Sequence, residues 1–324
     1  MQEPLVSISL VAFNAEAFIR DAIESCLMQE VDFSYEILIH DDASKDGTPQ
    51  IIREYATKYP DKIIPIIQTE NQFSKGTEIN AKIVIPRARG KYIAFLEADD
   101  YWIDPQKLKN QIAFMESNPD VSMCFTASKR IYPSDPQKKT HIKRYRPYDC
   151  VCSPKNVILV GGRLVDMGSA VVRRSVFENV PDWYYCVQIW DINIPLLSLL
   201  YGKIYYHNKV TSVYRYNSPG SYTQKNVRDY QKRKLGILRS LELLDGYNQA
   251  TYYRYNKIIK RKARLISVGL LLLLNPNDDN FIKYYLRLTL GLKLEYYVFK
   301  SIGSYRLWER YRQVMRIFRK IKYI

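Results

Sequence analysis

The sequence predicts an α/β fold, in which a mostly parallel sheet carries helices on both faces, followed by a basic α-helical C-terminal region. Strand-like apolar runs alternate with helical stretches from residue 6 onwards, a pattern typical of parallel sheets. The formal net charge of +16 lies wholly in the last hundred residues. Residues 1–224 contain 26 Lys and Arg against 26 Asp and Glu, whereas residues 225–324 contain 23 against 7. We therefore expect two domains, 1–224 and 225–324.

Four strands and four helices are predicted in the first 117 residues. The strands are short apolar runs, at residues 6–13, 35–40, 62–68 and 92–96. The helices follow them, at residues 15–29, from about residue 48, at 79–89 and at 105–117. The second helix is expected to have Thr48 as its cap and Pro49 at its first position, where the fixed φ of proline suits a helix.

The pattern changes after a fifth strand at residues 121–126. Residues 132–154 lack periodicity and are rich in Lys, Pro, Tyr and Asp, which predicts a mobile loop or lid. Strand and helix patterns resume at residues 167–175 and 190–216. Beyond residue 225 the pattern is helical.

Composition indicates an ordinary globular protein of the cytoplasm. Hydrophobic residues make up 47% of the chain and charged residues 25%. The N-terminus enters a strand directly, so no signal peptide is expected. The longest apolar run, residues 268–274, is much shorter than the roughly 20 residues that span a bilayer. The five cysteines show no repeated pairing and are expected to be free thiols in a reducing compartment.

Three carboxylates follow the strand at residues 92–96. Glu97, Asp99 and Asp100 would repel one another where a buried strand emerges, unless a cation or hydrogen-bond donors lie among them. Oxygen ligands suit Mg²⁺ or Mn²⁺, and such a metal could hold a phosphate-bearing ligand. The alternative is a solvated acidic turn, and Asp104 before Pro105 is read as a helix cap.

A second acidic pair, Asp41 and Asp42, ends the strand at residues 35–40. Ligands of open α/β sheets bind at the carboxyl ends of the strands, so both acidic groups are expected to face one cleft. Taken alone, the segment DDASKDGT could instead be a helix-capping turn. The coincidence of two acidic groups at one sheet edge favours a ligand site.

Several segments together resemble glycosyltransferase family 2. The order and spacing of these segments agree with the family pattern, and the match covers roughly residues 4–223. The segments are VSISLVAFN, YEILIHDDASKDGT, NQFSKG and ARGKYIAFLEADDYW with PQKLKNQIAFMESNPD. The resemblance implies the GT-A fold, a nucleotide-binding α/β sheet whose acidic DxD-type motif holds a divalent metal on a sugar-nucleotide diphosphate. It also implies an inverting transfer.

The resemblance assigns donor-binding roles near the first two strands. Ala12, Phe13 and Asn14 match the end of the first strand, which in the family holds the nucleotide largely through backbone groups. Asp42 matches the residue that accepts a hydrogen bond from the base, and its neighbour Asp41 is expected to support the loop.

The DxD-type motif matches EADD. Asp99 is expected to be the metal ligand, and Asp100 lies beside it as a weaker candidate. Glu97 stands where Asp is usual, so it is expected to bind the donor through either the ribose or the metal. Trp102 adjoins these acids and is a weaker candidate for a sugar platform.

The remaining roles fall in the second half of the domain. Asp191 matches the general base, which would take a proton from the acceptor hydroxyl. A helix cap is the structural alternative for this residue. Arg215 matches the arginine that meets the donor diphosphate, where a guanidinium can bind phosphate in a bidentate manner, although a surface salt bridge is the alternative. Ser169 is a weak candidate on the acceptor side.

The basic C-terminal region mixes apolar and aromatic residues with Lys and Arg at helical spacing. This composition favours an amphipathic helix on an anionic membrane surface. A helical bundle with a solvated basic face is the alternative, and no recognised motif predicts a nucleic-acid partner.

The sequence thus predicts a metal-dependent enzyme that moves a sugar, with a UDP-sugar expected from family frequency. The acceptor is expected to be a glycan or a lipid-linked glycan of surface polysaccharide, reached from the cytoplasm or the inner membrane face. A nucleotidyltransferase and a non-catalytic nucleotide-sugar-binding protein are the competing readings.

Overall fold

A computed structural model describes residues 3–135, 137–216, 218 and 230–271, together with the single positions 293, 297 and 300. The chain divides into two compact units, Met1–Gln224 and Lys225–Ile324. The first unit is a sheet with helices packed on it, and the described part of the second unit is helical.

Ten strands of the described residues form one mixed sheet in the first unit. In chain order they are β1 (Val6–Ala12), β2 (Tyr35–Asp41), β3 (Ile63–Ile67), β4 (Tyr92–Glu97), β5 (Tyr101–Trp102), β6 (Val121–Ile131), β7 (His141–Lys143), β8 (Cys150–Val151), β9 (Val171–Arg173) and β10 (Lys203–Arg215). The main path runs β3-β2-β1-β4-β9-β6-β10-β5, with β7 on β6 and β8 on β10.

Strand direction separates the sheet into two parallel blocks. Strands β3, β2, β1 and β4 are parallel, and so are β6 and β10. The short strand β9 joins the blocks because it runs antiparallel to both β4 and β6. The predicted mixture of strands and helices is confirmed, and the antiparallel joint at β9 lies within residues 167–175, where a strand pattern was predicted to resume.

Five α-helices belong to the first unit: α1 (Ile19–Leu27), α2 (Thr48–Lys58), α3 (Lys107–Ser117), α4 (Pro154–Val160) and α5 (Trp190–Tyr201). Their apolar faces and the central strands form one core, in which Ile8, Leu10, Ile23 and Leu108 are fully buried. Because β1, β2 and β4 are almost entirely buried, the sheet is a rigid base for the loops at its carboxyl edge.

Two segments differ from the sequence predictions. The predicted helix at 79–89 is a π-helical turn (Asn80–Val84) followed by a 3₁₀ turn (Ile85–Arg87). Pro86 lacks a backbone N–H, which prevents a regular helix here. The segment at 132–154 carries the short strands β7 and β8, so the predicted loop is pinned to the sheet at two places.

The described part of the second unit contains helices α6 (Tyr230–Ala250) and α7 (Asn256–Leu271), which pack together. Leu244, Tyr247, Ile259 and Val268 are buried. Over the described residues, no helix is both long enough and apolar enough to cross a membrane. The basic stretch at 305–324, on which much of the amphipathic prediction rests, lies outside the described residues.

Candidate active site

The strand register brings the two acidic groups to one edge of the sheet. Ala12, the last residue of β1, is paired with Asp41 at the end of β2. On its other side β1 pairs with β4, where Val11 lies opposite Glu97. Because all three strands are parallel, their carboxyl ends meet, and the loops that follow them line the same edge.

Loops after β1 and β2 are locked together by hydrogen bonds. Asn14 has a positive φ of 49°, and its side-chain Oδ1 accepts from the Lys45 backbone N–H at 2.8 Å. The Asn14 backbone N–H donates to Ser44 Oγ at 2.7 Å. Ala12 is buried, whereas Phe13 and Asn14 are exposed at the edge. Asparagine tolerates the left-handed region better than most residues, which suits it to this tight turn.

Asp41 and Asp42 use their carboxylates to hold loops. Asp41 is buried and accepts from both the Ser44 backbone N–H and the Ser44 hydroxyl. Asp42 accepts from the backbone N–H groups of Gln72 at 2.7 Å and Phe73 at 3.0 Å. Each Asp42 oxygen therefore already receives one backbone donor and keeps a second lone pair.

Glu97, Asp99 and Asp100 form a compact cluster of carboxylates after β4. One oxygen from each lies within 4.8 Å of the others. Burial, together with the negative charges of Asp99 and Asp191, raises the pKa of Glu97 to about 8. Burial likewise raises the pKa of Asp99, and it raises that of Asp100 well above its usual value.

This cluster fits a divalent metal. The three side chains offer only hard oxygen ligands, as Mg²⁺ and Mn²⁺ prefer. Their raised pKa values reflect desolvation together with repulsion at Glu97 and Asp100, and a bound cation would relieve both by favouring the ionised forms. The acids thus lie in a site where a cation would be stabilising.

Arg215 joins the acidic cluster to α1. Its backbone N–H donates to Asp100 Oδ1 at 2.8 Å, and its guanidinium Nη1 donates to the Asp99 carbonyl at 3.0 Å. The guanidinium also pairs with Asp21 and lies 4.4 Å from the centre of the Tyr101 ring. Arg215 therefore lies at the cluster, and its guanidinium there is held by protein groups.

Asp191 is the second residue of α5 and lies close to the other acids. Burial raises its pKa to about 7, the charge of Lys143 opposes that rise, and the charge of Asp166 adds to it. A Cβ atom on Gly162 would approach Asp191 Oδ2 to 2.7 Å. A side chain at position 162 would therefore displace this carboxylate from its present position.

Glu78 supports the start of α5. Tyr184 donates its hydroxyl to Glu78 Oε1 at 3.5 Å, and the Trp190 side chain, next to Asp191, also hydrogen-bonds to Glu78. Burial raises the pKa of Glu78 to about 7. The π-helical turn after Glu78 is a rare distortion that is frequent at functional sites.

Two weaker candidates lie inside the core instead of on the cleft wall. Trp102 is 1% exposed, its indole N–H donates to the Gly168 carbonyl at 2.6 Å, and Lys107 Nζ lies 4.3 Å from its ring. Ser169 is fully buried, and its hydroxyl donates to the Asp166 carbonyl at 2.7 Å. Both residues hold the turn after Asp166 rather than presenting a surface to a sugar.

Sequence reasoning missed a charged group beside Asp191. Asp166 accepts from Arg130 Nη2 at 2.7 Å, from Lys143 Nζ at 2.6 Å and from the Ser128 hydroxyl. Burial alone would raise the pKa of Asp166, but Lys143 and Arg130 outweigh it and lower the pKa to about 2. The one sequence signal was the density of Lys and Arg around residues 129–146.

The chain matches the profile described as "Glycosyl transferase family 2" over residues 7–180. An uncharacterised protein of Mycobacterium bovis is 31% identical over 250 residues, which span 74% of this chain and 67% of that protein. The Escherichia coli UDP-Glc:alpha-D-GlcNAc-diphosphoundecaprenol beta-1,3-glucosyltransferase WfaP is 40% identical over 113 residues, 35% of this chain and 42% of its own length.

Two solved structures share the fold. One is Staphylococcus aureus TarS 1–349 in complex with UDP-GlcNAc, with a TM-score of 0.56 and 14% identity over 95% of this chain and 91% of that one. The other is the mannosyltransferase PcManGT of Pyrobaculum calidifontis in complex with GDP-Man and Mn²⁺, with a TM-score of 0.53 and 16% identity over 95% and 84%. The chain belongs to glycosyltransferase family 2 and has the GT-A fold.

Proposed function

We propose that this glycosyltransferase is an inverting, metal-dependent enzyme that moves a sugar from a nucleoside-diphosphate donor to a hydroxyl of a glycan or lipid-linked acceptor. The carrying observation is the cluster of Glu97, Asp99 and Asp100 at the carboxyl end of β4, with Asp191 close enough to influence the charge of Glu97. In this proposal the three carboxylates would bind a metal that holds the donor diphosphate, and Asp191 would act nearby as the base.

Asp191 acts in this proposal as the general base. A carboxylate with a pKa of about 7 is partly ionised at neutral pH and basic enough to accept the proton of an acceptor hydroxyl. The hydroxyl oxygen then attacks the anomeric carbon, the bond to the diphosphate breaks, and the nucleoside diphosphate leaves with the electron pair. A single displacement with one base inverts the anomeric configuration.

Asp99 and Asp100 would hold the divalent metal, with Glu97 as a further oxygen ligand or a ribose contact. The metal, when bound, would neutralise charge on the donor diphosphate. Arg215 adds a positive charge beside the same acids and would stabilise the leaving group if its guanidinium turned from Asp21. PcManGT was solved with Mn²⁺, which supports manganese as the first metal to test.

The donor nucleotide would bind over the loops after β1 and β2. Exposed backbone at Phe13 and Asn14 would contact it, and the free lone pairs of Asp42 would accept from the base. WfaP is named as a glucosyltransferase that uses UDP-Glc and TarS was solved with UDP-GlcNAc, whereas PcManGT was solved with GDP-Man. We therefore put UDP-sugars first and GDP-sugars second.

A role in surface polysaccharide synthesis is proposed from the relatives. WfaP is named for a diphosphoundecaprenol acceptor, and Bacillus subtilis TuaG is a putative teichuronic acid biosynthesis glycosyltransferase that is 36% identical over 113 residues. A lipid-linked acceptor would place the enzyme at the inner membrane face, where the basic unit 225–324 could bind anionic lipid. Flotation with anionic liposomes tests this, and no binding at low salt would refute it.

Turnover of a donor panel tests the proposed function. UDP-, GDP- and dTDP-sugars are each incubated with the full chain and Mn²⁺, and the products are identified by mass. A nucleoside diphosphate marks sugar transfer or donor hydrolysis, and we expect it from at least one donor. Pyrophosphate would indicate a nucleotidyltransferase, and donor binding without any product would indicate a non-catalytic binding protein.

A further inference from the structure

Arg130 and Lys143 share a single carboxylate beside the site. Both donate to the same oxygen, Oδ1 of Asp166, at 2.7 and 2.6 Å. In the part of the chain that the structure describes, no other carboxylate lies within ion-pair distance of either cation. Two cations therefore share one ion-paired carboxylate.

Both cations are accessible, whereas their partner is not. The side chains of Arg130 and Lys143 are 22% and 19% exposed, but that of Asp166 is 7% exposed. Asp166 also accepts a hydrogen bond from the Ser128 hydroxyl on β6, which helps to fix the position of the Asp166 carboxylate. Asp166 therefore fixes the positions of both cations, while part of each cationic side chain remains exposed to solvent. Such exposed donors can bind an anion, whereas a fully buried ion pair could not.

The strand register places this pair next to the candidate active site. Arg130 of β6 lies opposite Tyr214 of β10, and its guanidinium lies 5.1 Å from the centre of that ring. The next residue, Arg215, hydrogen-bonds to Asp99 and Asp100. Arg130 is therefore paired with the residue of β10 that directly precedes Arg215, a contact of the proposed metal cluster.

Electrostatic influence places the pair on the acceptor side of that site. The charges of Lys143 and Arg130 act on Asp191, the proposed base, whereas the cation that acts on Asp99 is Arg215. In the proposed function Arg215 faces the donor diphosphate, and the charges of the Arg130–Lys143 pair act on the group that would receive the proton of the acceptor hydroxyl.

The surrounding segment has the same sign of charge. Residues 129–146 contain seven Lys and Arg and one acidic residue, Asp135, although residues 1–224 carry equal numbers of basic and acidic residues. A local excess of positive charge in a neutral domain attracts an anionic substrate and raises its local concentration.

We propose that Arg130 and Lys143 bind a phosphate group of the acceptor, and that this contact presents the acceptor hydroxyl to Asp191. The proposal rests on the proposed function and specifies its substrate class as a phosphate-bearing acceptor. The planar guanidinium and the ammonium together suit a tetrahedral oxyanion, which would accept from the N–H groups of Arg130 and Lys143 that Asp166 does not use. The phosphate could belong to a lipid carrier or to a water-soluble phosphate ester.

Calorimetric titration of the full chain with inorganic phosphate and with hexyl phosphate tests this, with UDP and Mn²⁺ present to fill the donor side. We expect the Kd for both ligands to rise at least tenfold in R130Q/K143Q. The matched control is K58Q/K109Q, which removes two exposed charges from α2 and α3 and should bind as the wild type does. Tighter binding of hexyl phosphate than of phosphate would indicate a lipid carrier, and equal binding a soluble ester.

Removal of both cations leaves Asp166 buried without a charged partner, which could unfold the domain. The variant R130Q/K143Q/D166N removes all three charges and should lose phosphate binding equally while keeping a cooperative thermal transition. Wild-type affinity in this folded variant, equal weakening in the control, or no phosphate binding by the wild type would each overturn the inference. Donor turnover by the wild type is measured separately, because its absence would refute the proposed function instead.

Discussion

The most informative perturbation is a change of pH, because it changes the ionised fraction of Asp191 and hence kcat. The pKa of this carboxyl is raised to about 7 by burial, against an ordinary value of 3.8. The base works only when ionised, so activity must fall as the pH drops through that value. About half of the molecules are active at pH 7 and about 1% at pH 5, so the expected loss of kcat is roughly fifty-fold. An Asp with an ordinary pKa would lose less than a tenth over the same range.

The assay is the release of nucleoside diphosphate at saturating donor and metal between pH 5 and pH 8.5. Saturation matters because the pKa of Glu97, at about 8, would otherwise add the pH dependence of metal binding to the profile. Donor affinity is measured at each pH as a check. The D191N variant should lose about two to four orders of magnitude in kcat with nearly unchanged donor affinity.

A second variant, K143Q, tests whether the charge of Lys143 affects the pH profile of kcat. Because the charge of Lys143 lowers the pKa of Asp191, K143Q should move the acidic limb to higher pH. The exposed Lys109 on α3 provides the matched control, and K109Q should leave the limb where it is. A flat kcat between pH 5 and pH 8, or D191N with wild-type turnover, would refute the assignment of Asp191 as the base.

Three further predictions follow from the same geometry. D99N should weaken donor binding measured with Mn²⁺ by at least tenfold and leave the weaker metal-free binding nearly unchanged; equal titrations for both proteins would remove Asp99 from the metal site. G162A should lower kcat at least tenfold, because its Cβ would lie 2.7 Å from Asp191 Oδ2, whereas G236A in the open surroundings of α6 should be neutral, and equal activities would contradict the packing argument. His40 is fully buried, and burial lowers its pKa from 6.5 to about 4. Because the unfolded chain binds the proton at a higher pH than the folded chain does, the free energy of unfolding falls as the pH drops from 6.5 towards 4. That loss is worth about 3 kcal/mol, and H40L should flatten it in urea titrations at pH 7 and pH 4; parallel losses in both proteins would exclude His40 as the cause.

The parallel part of the fold could be predicted because its signals are local. Buried strands read as unbroken apolar runs, and acids that follow parallel strands must meet at one edge. The pairing of Ala12 with Asp41 and of Val11 with Glu97 follows from that rule.

The rest depends on contacts between residues far apart in the chain. Arg130 and Lys143 come together because β7 folds back on β6, and Asp166 reaches them from the segment before β9, which pairs with β6; no local pattern encodes these pairings. Trp102 pairs with Ser212 on the antiparallel strand β10, and its buried indole donates to the distant Gly168 carbonyl. Contacts between residues far apart in the chain therefore determine the positions of these side chains.

A crystal structure of the full chain with Mn²⁺ and the nucleoside diphosphate released in the donor assay would test the central claim most directly. We predict an anomalous manganese signal at the carboxylates of Glu97, Asp99 and Asp100, with the diphosphate beside it and the nucleoside over the loops after β1 and β2. Manganese on other residues, or a nucleotide bound away from these acids, would contradict the account.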